Sequence, residues 1–317
     1  MLKFHPITLS DRDWVTAYYK ARGCMGAQYS FAASMIWRKA YDVQVCEDEG
    51  YFFFRYRFIN AAGSLMTSYR CPMGNGDDEA LRSAIEKVWA DSRSIRPGKP
   101  VTLHALPSEE LARLTRMYGR RLRVLDSRND FEYIYLKDNL ATLPGSHYHG
   151  KRGFINKFMR TDWEYRPMTP DLIPQVLEMN DAWGQQNKAL MQKERDLSLE
   201  VEAAAEAIRM YEPLGLKGGV LFQDGRVVAY TLGEQTNDDT FSVHFEKAMY
   251  DVPGAYPMIT QQFAQRMDCK WVNREEDTGD PGLRKAKESW RPEMLLELTN
   301  AELDLSCDGC CSCVAGD

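Results

Sequence analysis

The sequence predicts an α/β protein built from two copies of one module, each copy a mixed, mostly antiparallel sheet flanked by helices. Three observations support this prediction. The chain of 317 residues is long enough for two domains of ordinary size. Hydrophobic residues make up 44% of it, which is enough to form a core in each domain. The order of predicted helices and strands in the first half then recurs in the second half, as a duplicated unit requires.

In the first half, periodic apolar residues predict two helices ahead of a pair of strands. The aromatic run 51–54 is typical of a buried strand, and the small and polar residues at 60–63 are typical of a turn. A helix, a strand, a second helix and a second strand follow. The predicted helices cover 11–20, 30–38, 77–90 and 108–118, and the predicted strands cover 51–58, 64–71, 101–105 and 131–136.

The second half repeats this order. Asp224-Gly225 is typical of a two-residue hairpin turn and separates two antiparallel strands. The predicted helices cover 171–185, 198–211, 255–267 and 281–290, and the predicted strands cover 219–223, 226–233, 241–247, 270–275 and 294–299. Because the segment 139–160 joins the halves, we expect an N-terminal domain over 1–145, a C-terminal domain over 146–300 that carries the site, and a cysteine-rich tail over 301–317.

Residues 270–290 combine a short strand, an acidic turn and a basic helix. Asp280 is expected to cap the helix, with Pro281 in its first turn. Lys287 is predicted to point into the apolar side of this helix, either as a functional lysine or as a brace that pairs with nearby glutamates. The apolar stripe is predicted to consist of Leu283, Ala286 and Trp290. The residues predicted to point outward are Arg284, Lys285 and Glu288.

Composition and charge narrow the class of protein. No run approaches the roughly 18 apolar residues that a membrane span needs, so no transmembrane segment is expected. The N-terminus lacks the apolar stretch of a signal peptide, which favours a cytoplasmic location. The formal net charge of -6 argues against general nucleic-acid binding but leaves room for a local basic patch.

The eight cysteines form two groups. The scattered group is expected to consist of reduced, packed thiols at Cys24, Cys46, Cys71 and Cys269. The second group lies in the tail, at Cys307, Cys310, Cys311 and Cys313. A C-x-x-C pair binds zinc, but a tetrahedral zinc site usually takes its second pair from a distant segment. We therefore expect an unstructured tail and no certain metal, with metal binding or redox chemistry by these four thiols as the alternative.

A hairpin that leads into a strand–helix–strand unit is the pattern of the GNAT acyltransferase fold. Several segments also resemble one family. They are YSFAASMIWR at 29–38, YHGKRGFINKF at 148–158, HFEKA at 244–248, GAY at 254–256 and NREEDTGDPGLRKAK at 273–287. Together these segments resemble the soluble bacterial proteins related to the C-terminal domain of phosphatidylglycerol lysyltransferase. The resemblance covers nearly the whole chain apart from the tail.

The resemblance implies two tandem GNAT-like domains akin to the Fem-type aminoacyltransferases. Enzymes of that group take an amino acid from aminoacyl-tRNA and pass it to a lipid or peptidoglycan acceptor. The lipid-modifying members carry a multi-span membrane domain that this sequence does not contain. The expected partners are therefore tRNA and an acceptor that is a small molecule, a lipid or a peptide. No bound cofactor follows from the sequence; the donor is aminoacyl-tRNA, with acyl-CoA as the alternative.

The acyl-CoA alternative depends on the loop between the central strand and the next helix. Acyl-CoA-dependent GNAT enzymes usually carry a Q/R-x-x-G-x-G/A loop there, whose backbone N–H groups bind the pyrophosphate. The equivalent stretch here, 247–256, has one glycine, one proline and an acidic residue. This composition weakens the hypothesis of an acyl-CoA N-acyltransferase. A non-catalytic protein that keeps the fold to bind tRNA, a peptide or a partner is a further alternative.

Aminoacyl transfer needs a proton acceptor, a group that stabilises negative charge, and positive charge for the tRNA. His244 and Glu246 alternate on one strand, so they are expected to share a face and to supply the proton acceptor, although a packed core histidine is the alternative. Lys287 is the candidate for stabilising negative charge. The candidates for binding the α-ammonium group of the donor are Glu275, Glu276 and Asp277, which otherwise form a solvated loop. The remaining substrate-binding candidates are Asn273, Arg274, Gly282, Lys247 and Tyr256.

A basic cluster lies near the junction of the two halves. On a helix, Arg152, Asn156 and Arg160 follow each other at four-residue steps along one face. Such a face suits contact with an RNA backbone, and a solvated charged face is the alternative. The nucleic-acid-binding candidates are Lys151, Arg152, Asn156 and Arg160.

Overall fold

The structure, a computed structural model, describes residues 1–59, 63–190 and 197–306. These residues form two compact units. The first unit contains Met1–Tyr18, Tyr41–Phe131 and the described residues from Glu297 onward, and the second contains Tyr19–Ala40 and Glu132–Leu296. The units therefore do not follow the predicted boundary between 145 and 146, because residues on both sides of that boundary belong to the second unit.

The helices and strands have the following bounds. The helices are α1 (Arg12–Arg22), α2 (Phe31–Ile36), α3 (Asp78–Ile95), α4 (Ser108–Tyr118), α5 (Lys137–Thr142), α6 (His149–Phe158), α7 (Ile173–Leu190), α8 (Ser198–Arg209), α9 (Tyr211–Leu214), α10 (Ala255–Ala264) and α11 (Pro281–Glu288). The strands are β1 (His5–Pro6), β2 (Gln44–Asp48), β3 (Tyr51–Ile59), β4 (Leu65–Tyr69), β5 (Val101–Pro107), β6 (Leu122–Val124), β7 (Glu132–Leu136), β8 (Trp163–Pro167), β9 (Lys217–Gln223), β10 (Arg226–Gln235), β11 (Thr240–Ala248), β12 (Trp271–Asn273), β13 (Met294–Leu296) and β14 (Leu298–Leu303). Each predicted helix and strand overlaps an element of this set.

The first unit contains a seven-stranded sheet in the order β1-β2-β3-β4-β5-β14-β6. Only β4 and β5 pair in parallel; the other neighbours are antiparallel. Its core is apolar, and α3 contributes Leu81, Ile85 and Val88 at helical spacing. Asp77 caps α3 because its carboxylate accepts hydrogen bonds from the backbone N–H groups of Glu79 and Ala80.

The second unit contains a seven-stranded sheet in the order β13-β7-β12-β11-β10-β9-β8. Only β11 and β12 pair in parallel. The other five neighbouring pairs are antiparallel. Counted from β1 and from β8, both sheets show three antiparallel pairs, one parallel pair and two antiparallel pairs. This identical pattern confirms the predicted duplicated fold with mixed, mostly antiparallel sheets.

The sixth strand of each sheet comes from the other half of the sequence. Strand β7 pairs with β12 in the second unit, whereas β14 pairs with β5 in the first. The single strand predicted over 294–299 is therefore wrong: Met294–Leu296 pairs with β7, and the chain then enters β14. Residues 301–303, which were assigned to the tail, lie within β14.

Three further sequence-based expectations concern membrane-spanning helices, the cysteines and the turn at 60–63. Among residues 1–59, 63–190 and 197–306, no helix combines the length and apolar character needed to cross a bilayer. Among the described residues, Cys24, Cys46, Cys71 and Cys269 form no disulfide, and Cys46 and Cys71 are buried. The four tail cysteines at 307, 310, 311 and 313 lie outside the described residues, as does most of the turn predicted at 60–63.

Candidate functional site

Polar side chains gather in the second unit where the parallel pair of strands ends. Strand β12 pairs with β11 from Trp271 to Asn273 and ends there, whereas β11 continues to Ala248. The residues that follow β12 enter a loop in which Glu275 adopts a left-handed backbone with φ of +58°. Side chains from β10, β11, this loop and α11 meet at this position.

His244 is the centre of the first group of polar contacts. The register of β11 against β10 shifts between Phe245 and Val243, which leaves His244 without a cross-strand partner, as in a β-bulge. Its Nδ1 lies 2.8 Å from Glu275 Oε1, and its Nε2 lies 2.9 Å from Glu234 Oε1. Burial lowers the pKa of His244, but the hydrogen bonds to the two carboxylates outweigh burial and raise the pKa to about 10. The ring is therefore an imidazolium at neutral pH.

The bulge also changes which residues of β11 share a face. Before it, Phe241 faces α10, where its ring centroid lies 5.4 Å from that of Phe263. After it, Glu246 faces α10 and accepts a hydrogen bond of 2.7 Å from Thr260 Oγ1. Strict alternation along β11, on which the predicted pairing of His244 with Glu246 depended, is thus interrupted. Because a protonated ring accepts no proton, this geometry does not support His244 as the proton acceptor.

Glu246 pairs with Arg274. Arg274 Nη2 donates to Glu246 Oε1 over 2.8 Å. The guanidinium carbon lies 5.2 Å from the ring centroid of Trp290 and 5.6 Å from that of Tyr135, which are cation–π distances. Arg274 Nη1 is buried and has no hydrogen-bond partner among the described residues. The guanidinium therefore retains unused donor capacity.

Lys287 enters the same region from α11. Its Nζ donates to the backbone carbonyl of Arg274 and, over 3.4 Å, to that of Glu275. Burial and the charge of Arg274 lower the pKa of Lys287 to about 8, against the opposing effect of nearby glutamates. The helix is capped as predicted, since the carboxylate of Asp280 accepts from the N–H of Leu283 over 2.9 Å.

The inward side of α11 differs from the prediction. Leu283 and Ala286 of the predicted apolar stripe are exposed, and Arg284, predicted to point outward, faces inward. Arg284 Nε and Nη2 donate to the two carboxylate oxygens of Asp277 over 2.8 and 2.9 Å. The prediction was wrong because this charge-assisted pair, rather than apolar contact, determines how the helix is rotated.

Asp277 is a structural anchor. Its side chain is fully buried and accepts further hydrogen bonds from Tyr133 Oη over 2.6 Å and from the N–H of Gly279 over 2.9 Å. Burial alone raises its pKa, but the hydrogen bonds from Arg284, Tyr133 and Gly279 hold the pKa well below its usual range. Because these bonds occupy both oxygens, the structure does not support the predicted role of Asp277 in binding a donor ammonium group.

Two other carboxyl groups lie close to this site with raised pKa values. Burial and the charges of Glu275 and Glu132 raise the pKa of Glu276 to about 8. Glu132 of β7 is fully buried; its Oε2 accepts from the N–H of Ala27 over 2.9 Å and from Asn273 Nδ2 over 2.5 Å. Burial raises the pKa of Glu132 to about 7 against these hydrogen bonds. Sequence analysis missed Glu132 because a lone glutamate in an apolar strand shows no spacing motif.

The remaining substrate-binding candidates have different positions. Asn273 is buried and positions the loop, since its Oδ1 accepts from the N–H of Glu275 over 2.8 Å. Lys247 pairs with Glu200 and lies 4.1 Å from the ring centroid of Trp183, so it does not join the contacts around His244 and Lys287. Gly282 is exposed on α11.

The residues predicted to bind nucleic acid lie in different environments. Lys151 and Tyr256 line a pocket of about 450 Å³ between α6, the start of α10 and the residues after α11. Arg152 instead donates to the backbone carbonyls of Leu143 and Gly145 over 2.5 and 2.7 Å, which holds the connection between α5 and α6. The exposed members of the predicted face are Asn156 and Arg160.

The start of α10 lies where an acyl-CoA-dependent GNAT enzyme would hold pyrophosphate. Gly254 precedes α10 with φ of +94°, and a Cβ placed there would lie 2.7 Å from the carbonyl oxygen of Phe154 in α6. Pro257 in the first turn has no N–H group to donate. Helix α6 therefore packs closely against this helix start, and one of the donors that an anion would use is missing.

The described part of the chain contains no group of three or more His, Cys, Asp or Glu side chains placed to hold a metal ion.

The two duplicated sheets define a tandem GNAT-like fold. A model of the family described as phosphatidylglycerol lysyltransferase, C-terminal, matches residues 22–298. The chain belongs to this family.

Several solved structures are similar to this chain. A conserved protein of unknown function from Bacteroides thetaiotaomicron VPI-5482 is 35% identical, with 96% of this chain and 100% of that chain covered and a TM-score of 0.86. FemX is 7% identical over 96% of this chain and 98% of that chain, with a TM-score of 0.62. A tandem GNAT protein from the clavulanic acid biosynthesis pathway is 12% identical over 95% of this chain and 97% of that chain, with a TM-score of 0.50. The last two show a shared fold. A comparison with curated proteins found no match to this sequence.

Proposed function

We propose that the protein transfers an aminoacyl group from aminoacyl-tRNA to an acceptor amine or hydroxyl, at the site in the second unit. The observation that carries the proposal is the position of Lys287, a lysine with a lowered pKa that lies where β12 ends, close to the carboxyl groups of Glu275 and Glu276. Ester aminolysis or transesterification needs positive charge near the ester carbonyl and a proton acceptor beside it. Both kinds of group are present here.

Lys287 is assigned to the oxyanion. When the acceptor attacks the ester carbonyl, negative charge develops on the carbonyl oxygen, and a fixed ammonium group stabilises that charge most where water is largely excluded. The backbone carbonyls of Arg274 and Glu275 hold the Lys287 ammonium group in place. The intermediate then collapses: the bond to the acceptor remains, the ester C–O bond breaks, and the ribose hydroxyl leaves with a proton.

Glu276 is assigned as the general base that transfers the proton. Its pKa of about 8 is close to a working pH near neutrality, which is the condition under which a general base is most effective. Its carboxylate takes the proton of the attacking amine or hydroxyl and passes it to the leaving ribose oxygen. His244 remains protonated between Glu234 and Glu275 and fixes the Glu275 side chain. Glu275 in turn is assigned to the α-ammonium group of the donor.

The acyl-CoA alternative has less support. A pyrophosphate needs free backbone donors at the start of α10. Phe154 of α6 packs against Gly254 at this point, and Pro257 supplies no donor. Aminoacyl-tRNA makes no demand on this helix start. Because charged tRNA is a cytoplasmic donor, the same proposal implies that the protein works in the cytoplasm.

The test measures transfer of a labelled amino acid from a mixed pool of charged tRNAs in the presence of a small-molecule and lipid extract. We expect protein-dependent loss of the tRNA ester and label in a new compound. Lys287→Ala should lower the rate by about 100-fold, in line with the loss of one oxyanion-stabilising group. Lys285→Ala, an exposed lysine on the same helix, is the matched control and should keep full activity.

Ester that stays intact for every tRNA in the pool would contradict the proposal. Equal activity of Lys287→Ala and Lys285→Ala would contradict the assignment of Lys287 while leaving the transfer reaction itself established. The chemical identity of the labelled product reports whether the acceptor is a small molecule, a peptide or a lipid.

A further inference from the structure

A pocket beside the candidate site is lined by aromatic and basic side chains. Its volume of about 450 Å³ falls within the range of small-molecule sites. The lining residues that matter for its chemistry are Lys151, Phe154, Tyr256, Ser289, Trp290 and Arg291. None of the described residues that line it is an aspartate or a glutamate. In a chain of net charge -6, a pocket with basic groups and no acidic one favours an anionic ligand.

Neither Lys151 nor Arg291 has a carboxylate partner in the part of the chain that the structure describes. Lys151 Nζ donates to Ser289 Oγ over 2.8 Å and lies 4.5 Å from the ring centroid of Trp290. Burial and the charge of Arg274 lower the pKa of Lys151 to about 8. An anion bound here would relieve the repulsion between Lys151 and Arg274. Arg291, held in a left-handed backbone with φ of +55°, adds a further positive charge to the lining.

Besides the cations, the pocket is lined by aromatic rings, which can stack on a planar group of a ligand. Trp290, Tyr256 and Phe154 line the same pocket as the cations, and Phe154 is 50% exposed. Aromatic rings beside basic side chains are the combination that binds a nucleotide, since the base stacks on a ring and the phosphate contacts the cations. A ligand that is only an anion would not use these rings, and a ligand that is only apolar would not use the cations.

The pocket also adjoins the proposed reaction site. Trp290 lies at its wall and contacts the guanidinium of Arg274 at 5.2 Å from the ring centroid. The backbone carbonyl of Arg274 accepts the hydrogen bond of Lys287 Nζ. Arg274 therefore contacts both Trp290 in the pocket wall and Lys287, which is assigned to the oxyanion.

We infer that this pocket is a mononucleotide site in which aromatic side chains stack on the base and Lys151 and Arg291 contact the phosphate. The identity of the nucleotide rests on the proposed function: it is the 3′-terminal nucleotide of the donor RNA, which carries the aminoacyl ester. The pocket positions that ester towards Lys287.

The test is calorimetric titration of the full chain with AMP, adenosine, ribose 5-phosphate and inorganic phosphate at low salt. AMP should bind, and adenosine and ribose 5-phosphate should each bind at least about tenfold more weakly, because each lacks one half of the recognition. Lys151→Gln should weaken AMP about tenfold and leave adenosine unchanged. Lys285→Gln, which removes the same charge from an exposed position, is the control and should change nothing. Phe154→Ala, at a half-exposed position, should weaken AMP and adenosine alike.

Each outcome decides the inference. No binding of AMP, binding of AMP no tighter than of inorganic phosphate, or equal effects of Lys151→Gln and Lys285→Gln would each overturn it. These results do not depend on whether transfer occurs. If AMP binds as expected but no charged tRNA loses its ester, the nucleotide site stands and the proposed function fails. If ester is lost at the wild-type rate in Lys151→Gln, the pocket does not hold the donor.

Discussion

The buried carboxyl of Glu132 provides a quantitative test of the site. Glu132 is fully buried, one of its oxygens has no hydrogen-bond partner among the described residues, and the other accepts from Ala27 and Asn273. Burial raises its pKa from 4.5 to about 7 despite these bonds. The substitution Glu132→Gln keeps the shape and an oxygen acceptor but removes the titration.

The magnitude follows from linkage between protonation and folding. A folded-state pKa above the unfolded value means that the folded state holds the proton more tightly, so this contribution to stability is fully present below pH 4.5 and is lost as the pH rises through 7. The pKa difference of about 2.5, at 1.36 kcal/mol for each pKa unit, corresponds to about 3 kcal/mol. Glu132→Gln should therefore gain about 3 kcal/mol relative to the wild type between pH 4.5 and pH 8.

Urea unfolding at pH 4.5 and pH 8, followed by tryptophan fluorescence, measures this change. The quantity of interest is the difference in unfolding free energy between Glu132→Gln and wild type at each pH. Glu212→Gln, at an exposed position, is the control and should show the same small difference at both. A Glu132→Gln difference that does not change with pH would refute the reasoning, since it would mean that the carboxyl titrates alike in the folded and unfolded states.

Two further predictions concern the strand bulge and the start of α10. His244→Gln should cost about 3–5 kcal/mol at pH 6, because it leaves Glu234 and Glu275 without a counter-charge. The folded-state pKa of His244, about 10, exceeds the ordinary 6.5, so the loss of unfolding free energy should be largest below pH 6.5 and should decline as the pH rises through 10. Urea unfolding measures this loss, and a loss that is the same at every pH in that range would contradict the prediction. Gly254→Ala should lower the thermal midpoint by several degrees, because the new Cβ meets the carbonyl of Phe154 at 2.7 Å. Gly153→Ala in α6, where a Cβ meets nothing within 4 Å, should leave the midpoint unchanged or raise it.

The elements of the fold were largely predictable because periodic apolar residues mark them. Helix α4 has the bounds that were predicted, and Asp224-Gly225 joins β9 to β10 as expected. The exchange of β7 and β14 between the two sheets was not predictable. Residues 294–299 are predicted as one strand, and tertiary pairing divides this stretch at Glu297 between two sheets.

The sequence predicted which segments form the candidate site but not how its side chains are arranged. The motif at 273–287 identified the loop and α11, which do bring Glu275, Glu276 and Lys287 close together. Two features escaped sequence reasoning. The bulge at His244 depends on the register with β10, and the rotation of α11 depends on Arg284 reaching Asp277. Both are set by contacts between residues that are distant in sequence, so neither leaves a local pattern.

In the proposed reaction, the charge state of His244 determines which groups transfer the proton. A histidine that faced one carboxylate and solvent would exchange its proton near neutral pH, as the residue type suggests. Here Glu234 and Glu275 occupy both ring nitrogens, and the raised pKa keeps the proton in place through the physiological range. Glu276 and Lys287, by contrast, both have pKa values moved to about 8, one upwards and one downwards. In the proposed mechanism, proton transfer therefore falls to Glu276 with Lys287 beside it, and His244 contributes by holding the Glu275 carboxylate.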